Sequence, residues 1–357
     1  MTGALLRKAG DPALEVRDDL EVIGPGPGEV RVRIRATGVC HSDVSFQNGT
    51  IPIPTPSVLG HEGAGEVIAV GDGVRGVSEG DPIIVAWIPP CGSCFYCLAG
   101  QPNLCMSGNP NPNPRIRLHG EPVYGNAGTP TFIEETVIPA ASAIAIDRDV
   151  PFDVASLIGC GVTTGAGAAL NTARVQPGST VIVFGAGGIG LSVLQGARVA
   201  GAAVIVAVDK LDSKLEIARQ FGATHTVKPD EVGDARATLT GGLGFDYGFE
   251  AIGLSATIRA AWDATRRGGT VTVVGVTRPD DMVAFSGFEL FYSEKRLLGC
   301  VYGSADVRTE FGRLLRLWRS GQLELERLIT GKTDIHRIND AFRWLIEGEA
   351  IRTVIEF

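Results

Sequence analysis

Apolar positions in this chain follow two different periods, and the change from one to the other divides it. Up to about residue 85 they fall in short strand-like runs separated by Gly/Pro turns. Residues 29–35, EVRVRIR, alternate apolar and charged side chains, which predicts a strand with one face buried and the other wet. Residues 63–70 and 81–85 predict two more strands. From residue 175 onward, β-branched runs alternate with helical stretches. Residues 181–184 and 204–208 predict buried parallel strands, with a helix over 191–200 between them. A helix over 214–222, a strand from 224, strands over 245–250 and 271–275 with a helix over 256–266 between them, and a strand over 296–301 continue the series. Such a series predicts a doubly wound parallel sheet. Two amphipathic helices, 307–320 and 338–347, and a strand over 352–357 follow, the helices' alternating charges reading as solvated faces. The expected fold class is therefore α/β, a β-rich domain joined to a parallel sheet.

Composition narrows the class. At 357 residues the length suits two domains, and 44% apolar with 20% charged residues is the profile of a globular protein with ample core. A net charge of −8 argues against nucleic acid or an anionic membrane as partner. No basic-then-apolar leader and no apolar run of spanning length is read, so a cytoplasmic location is expected. Seven cysteines without an export signal point to metal or reactive thiols rather than disulfides. The NPNPNP run at 109–114 predicts a surface loop, because its prolines exclude helix and central strand.

The most informative stretch is 179–210. Its first strand runs into Gly185-Ala186-Gly187-Gly188-Ile189-Gly190, a G-x-G-x-x-G that opens the helix. Gly185 permits the tight turn, Gly187 lets backbone approach a pyrophosphate, and Gly190 lets helix and strand lie close. The helix N-terminus then favours the phosphates. Asp209, 19 positions beyond Gly190, stands where an acid accepts from ribose hydroxyls and repels a 2′-phosphate, favouring NAD over NADP. Such a glycine motif alone is often only a tight turn; with both strands and the acid in place it predicts a dinucleotide site.

Two sets of soft ligands stand out. Cys91, Cys94, Cys97 and Cys105 put four thiols in fifteen residues, which suits a closed, structural tetrahedral zinc. Cys40 and His61, each read on a loop after a strand, fit a buried thiol and a satisfied core histidine equally well. Cys160, just ahead of the dinucleotide unit, supplies a third ligand and hence a zinc with one open position.

The motifs GVCHSD (38–43), GHEGAGEV (60–67), CGSCFYC (91–97) with Cys105, GCGVTTG (159–165), GAGGIG (185–190), VDK (208–210) and AIRTVIEF (350–357) resemble the zinc-dependent alcohol dehydrogenases of the medium-chain dehydrogenase/reductase superfamily, closest to their liver-type branch. The resemblance spans nearly the whole chain. It implies a GroES-like catalytic domain over 1–161 with a zinc lobe at 91–105, a Rossmann domain over 162–301, and a segment 302–357 returning to the first domain. It implies NAD and two zinc ions per chain. Cys40, His61 and Cys160 correspond to the catalytic zinc ligands, Glu62 to the acid beside that zinc, and Asp43 to the carboxylate that hydrogen-bonds the histidine. Ser42 resembles the hydroxyl that takes the alcohol's proton. Asp209 and Lys214 match ribose contacts, Arg352 an arginine reaching the pyrophosphate, and Thr164 and Ile189 residues pressing on the nicotinamide; Gly188 and Val274 join this cofactor set.

The same motifs set Ile51, Trp87, Phe132, Val276 and Val301 as substrate walls, which suits a hydrophobic primary alcohol, aromatic or allylic, oxidised to the aldehyde or formed from it. Gly49 and Ile51 are not acidic, unlike the pocket of the branch acting on the glutathione adduct of formaldehyde. Two departures stand out: Ser45 occupies the place of an outer histidine in the proton relay, and His41 that of a pyrophosphate-binding arginine. The resemblance further implies a homodimer joined near 297–301. Alternatives are a relative that keeps NAD permanently bound and, from another class, a non-catalytic superfamily member, which the complete ligand set disfavours.

Overall fold

The computed structural model describes residues 1–106 and 114–357, so the NPNPNP loop lies outside the described residues except for Pro114. The chain forms two compact units, Met1–Gly161 with Asp306–Phe357, and Val162–Ala305.

In the first unit the alternation of residues 29–35 becomes the strand Glu29–Gly38, with Val30, Val32 and Ile34 fully buried. It is the axis of a sheet ordered Ala143–Ala145, Pro82–Val85, Glu62–Val70, Glu29–Gly38, Arg352–Glu356, Ile329–Thr333, and Glu135–Pro139 also pairs with Glu29–Gly38. The end of the chain closes this sheet, Val354 opposite Gly38 and Ile355 opposite Thr37. A second sheet runs Glu15–Arg17, Gly3–Leu6, Ser57–Val58, Glu121–Gly125, Ile116–Leu118, Leu20–Val22. Its short parallel pair sets Val58 opposite Gly125. The helices Val307–Arg319 and Ile338–Glu347 are only half solvated: Phe311, Leu314, Ile338, Phe342 and Leu345 are buried.

The second unit carries parallel strands in the order His225–Val227, Val204–Val208, Thr180–Phe184, Phe245–Glu250, Thr265–Val273, Arg296–Gly299. The order reverses between Thr180–Phe184 and Phe245–Glu250, and a crevice at the carboxyl ends of strands at such a point is where α/β sheets take ligands. Ile182, Val206, Phe245 and Val271 are fully buried among Trp262 and Ala261, as expected for strands covered on both faces.

The structure corrects the sequence reading in three places. Residues 302–305 belong to the second unit rather than to the C-terminal segment. The turn Tyr302–Ser304 is held there by Asn171 Nδ2 donating to Gly303 O (3.2 Å) and by the Thr172 and Ser304 hydroxyls 2.8 Å apart. Cys40 lies in the short connection after the strand Glu29–Gly38, as read, but it also caps a helix, His41–Gln47, that was not foreseen. Finally, one helix, Phe152–Thr172, is long and apolar enough to cross a membrane by length and composition. Its most apolar window is 83% buried inside the protein, the mark of a core helix.

Gly190 and Gly187 separate packing from binding. A Cβ on Gly190 would overlap the carbonyl oxygen of Gly185, whereas one on Gly187 meets nothing within 4 Å. We expect Gly190→Ala to cost about 1–3 kcal/mol by overpacking and Gly187→Ala less than about 0.5 kcal/mol, as read by urea unfolding. Equal costs for the two would contradict this packing.

Candidate functional site

Four buried side chains from three separate segments meet in the first unit. The ligating atoms of Cys40, His61, Glu62 and Cys160 all lie within 4.8 Å of one another. Cys40 follows the strand Glu29–Gly38, Glu62 opens the strand Glu62–Val70 with His61 just ahead of it, and Cys160 sits in a π-helical turn, Ile158–Val162. Such turns are rare and concentrate at functional sites.

Asp43 ties two of these segments together. Its Oδ2 accepts from the Cys40 amide (3.1 Å), and its Oδ1 from the Gly60 amide (3.2 Å) and faces His61 Nδ1 at 3.1 Å. A carboxylate only accepts, so Nδ1 carries the proton and the lone pair of Nε2 is left for another partner. The carboxylate at Nδ1 and the Cys40 sulfur draw the His61 pKa well above its usual value, against the opposing effect of burial. Hydrogen bonding from Cys160 holds the Cys40 thiol well below its usual range, and the same bond together with burial pushes Cys160 well above it. Ser42 Oγ stands 3.8 Å from Cys40 Sγ, and the Trp87 ring is edge-on to His61 at 6.3 Å between centroids.

Glu62 is fully buried, and burial pushes its carboxyl up to about 7 although the Arg352 guanidinium beside it acts in the other direction. Arg352 Nη2 donates to both Glu62 oxygens, and the Gly161 amide donates to Oε1 at 3.1 Å. The resemblance sends Arg352 to a pyrophosphate; here it is 4% exposed and engaged on Glu62.

The other predicted residues are distributed as follows. Ile51, Trp87 and Ser45 are half-buried and His41 is exposed. Phe132 is fully buried, edge-on to Phe342 in the core, and so lines no open surface. Val276 and Val301 belong to the second unit, where they are 56% and 44% exposed. In that unit Gly185 has φ +97°, Gly187 caps the helix Gly188–Val199, and Asp209 closes the turn by accepting from the Ala186 amide (2.9 Å) and the Leu211 amide (3.1 Å). Ile189, Thr164 and Lys214 are half-buried and Val274 is buried. The sequence reading missed Asn126, whose amide lies 3.4 Å from His61 Nδ1. No motif marks it, and only the pairing of Ser57–Val58 with Glu121–Gly125 brings it there.

At the surface of the first unit, Cys91, Cys94, Cys97 and Cys105 also gather within 4.8 Å. Cys91 and Cys97 sulfurs are 4.0 Å apart and those of Cys94 and Cys105 are 3.9 Å apart. Zinc–sulfur bonds of about 2.3 Å in a tetrahedron demand sulfur–sulfur edges of about 3.8 Å, so this set fits zinc. Cys91 Sγ accepts from the amides of Ser93 (3.4 Å) and Cys94 (3.2 Å); backbone amides hold the Cys94 thiol below its usual range, while burial pushes that of Cys97 up to about 12. The inner set fits as well: two thiols, an imidazole whose Nδ1 is held by Asp43 and no closing fourth thiol match an open zinc site.

Comparison with known proteins agrees with this geometry. Residues 26–148 match the family described as alcohol dehydrogenase GroES-like domain, and residues 188–319 the family described as zinc-binding dehydrogenase. The chain is 37% identical to alcohol dehydrogenase-like 7 of Arabidopsis thaliana over 99% of this chain and 94% of that protein. It is 37% identical to an S-(hydroxymethyl)glutathione dehydrogenase of Escherichia coli, covering 95% of each. Its fold superposes on the crystal structure of benzyl alcohol dehydrogenase from Acinetobacter calcoaceticus with a TM-score of 0.92 and 30% identity, covering 100% of this chain and 99% of that one. With both family descriptions matched and relatives alike over almost their full length, the chain belongs to the zinc-dependent medium-chain alcohol dehydrogenases and is an oxidoreductase.

Proposed function

We propose that the protein oxidises hydrophobic primary alcohols, aromatic or allylic, to aldehydes with NAD and catalyses the reverse reduction, using an open zinc site in its first unit and a closed one in the surface lobe. The observation that carries this reading is the convergence of Cys40, His61 and Cys160 with Glu62 beside them. Cys40, His61 and Cys160 would hold the inner metal. When bound, zinc supplies a Lewis acid that polarises the substrate oxygen, and NAD supplies the hydride acceptor. Asp43 keeps the proton on His61 Nδ1, Ser42 Oγ accepts the proton leaving the alcohol as its own hydroxyl proton passes outward to water, and Arg352 holds Glu62 in place. Trp87, edge-on to His61, and Ile51 offer apolar surface for the substrate.

On the cofactor side, a 2′-phosphate brought to Asp209 would meet a carboxylate whose oxygens already serve two backbone amides. That supports NAD. We read the protein as a cytoplasmic homodimer: Arg296–Gly299 is an edge strand, with Leu297 and Val301 42% and 44% exposed.

The mechanism makes the inner and outer cysteines separable. Cys160→Ala is expected to abolish turnover yet leave NAD affinity unchanged in fluorescence titration. Ser42→Ala slows turnover roughly a hundredfold or more. Cys97→Ala instead lowers the unfolding temperature before it affects rate. Near-normal turnover in both Cys160→Ala and Ser42→Ala contradicts the proposed site.

Cofactor choice is tested by steady-state kinetics with NAD and NADP. The native protein should have the higher kcat/KM with NAD, and Asp209→Gly should narrow the difference. Equal or better efficiency of the native protein with NADP contradicts the role given to Asp209.

A further inference from the structure

The carboxylate of Asp43 is not the only group at His61 Nδ1. Asn126 approaches the same atom at 3.4 Å, is 1% exposed, and comes from a segment with no ligand of its own. It starts the turn Asn126–Gly128 immediately after the strand Glu121–Gly125. That strand pairs with Ser57–Val58, so the register that sets Val58 opposite Gly125 also carries Asn126 to the loop holding His61. The turn needs only the backbone of this residue: Asn126 O accepts from the Thr129 amide at 2.9 Å, and the left-handed position is Ala127, φ +49°. A buried amide side chain is therefore unexplained by the turn itself, and burying it without a partner would cost about 1–3 kcal/mol.

The chemistry fixes how it partners. Nδ1 is protonated because its other neighbour, Asp43 Oδ1 at 3.1 Å, can only accept. An amide's oxygen and nitrogen exchange places by a half-turn, and only the oxygen complements an N–H. We propose that Asn126 is a positioning residue for His61. Its amide oxygen shares the Nδ1–H with Asp43 in a three-centre hydrogen bond and fixes the plane of the imidazole. Asp43 alone leaves the ring free to pivot about one axis; a second acceptor from a different strand removes that freedom and keeps Nε2 aimed at the space between Cys40 and Cys160. Being neutral, the amide does this without adding charge to a site that already buries Asp43 and Glu62. The inference rests on the inner site being a metal site, and the experiment separates the two.

The test uses zinc-loaded full-length protein labelled with ¹⁵N-histidine, in which only five histidines contribute signals. In the native protein His61 should show a slowly exchanging Nδ1–H with weak cross-relaxation to the Asn126 side-chain NH₂, whose protons point away. Asn126→Leu, which keeps the branched shape at Cγ but has no polar atom, should shift that Nδ1–H signal and speed release of one zinc to a chelator roughly tenfold or more. It should also lower kcat with KM for NAD unchanged, while leaving the unfolding temperature within a few degrees. Strong cross-relaxation between the Nδ1–H and the Asn126 amide protons, an unprotonated Nδ1, or a leucine variant with native signal and zinc release would each overturn the proposal. A native protein that holds no zinc at His61 would instead refute the metal site itself.

Discussion

The constraint on which the first unit turns is a buried excess of negative charge. Two thiols that become thiolates and the carboxylates of Asp43 and Glu62 face one guanidinium, Arg352, all removed from water. With both thiols ionised, the negative groups outnumber Arg352 and a protonated His61 together, an excess that is costly to bury. A proton kept on Cys160, whose thiol is pushed well above its usual range by Cys40 and burial, relieves part of this, and a dication would relieve far more. A divalent metal would thus complete the unit, and its binding would be linked to proton release and to stability.

Topology assembles that charge cluster. The strand Glu29–Gly38 delivers Cys40; the neighbouring strand Glu62–Val70 starts at the acid and lies next to His61. The last strand of the chain pairs on the other side of Glu29–Gly38, which carries Arg352 across 290 residues to Glu62. Asp43 then locks Cys40 to His61 through three contacts of 3.1–3.2 Å. Moving any of these strands by one residue would reverse its side chains and remove a charged group from the cluster.

What could be read from sequence was local. The glycine turn from 185 to 190, the strands on either side of it and Asp209 lie within one short stretch whose periodicity and spacing are self-sufficient. The four cysteines at 91–105 are likewise explained by spacing alone. Long-range register was not legible. Arg352 carries no mark that it pairs with Glu62 rather than reaching outward, and Asn126 none that it meets His61. Motif alone sets Phe132 as a substrate wall, yet with Phe342 packed edge-on against it the residue lies wholly in the core. The helix Phe152–Thr172 escaped notice because its small residues and glycines suppress the helical signature, while its π turns come from packing that spacing does not encode.

The central claim is that the inner cluster holds a divalent metal separate from that of the surface lobe, and metal stoichiometry addresses it directly. Elemental analysis of the freshly purified protein should give two zinc ions per chain, and His61→Ala should give one while the lobe keeps its own. One zinc or none in the native protein, or two still present after His61→Ala, would contradict the account.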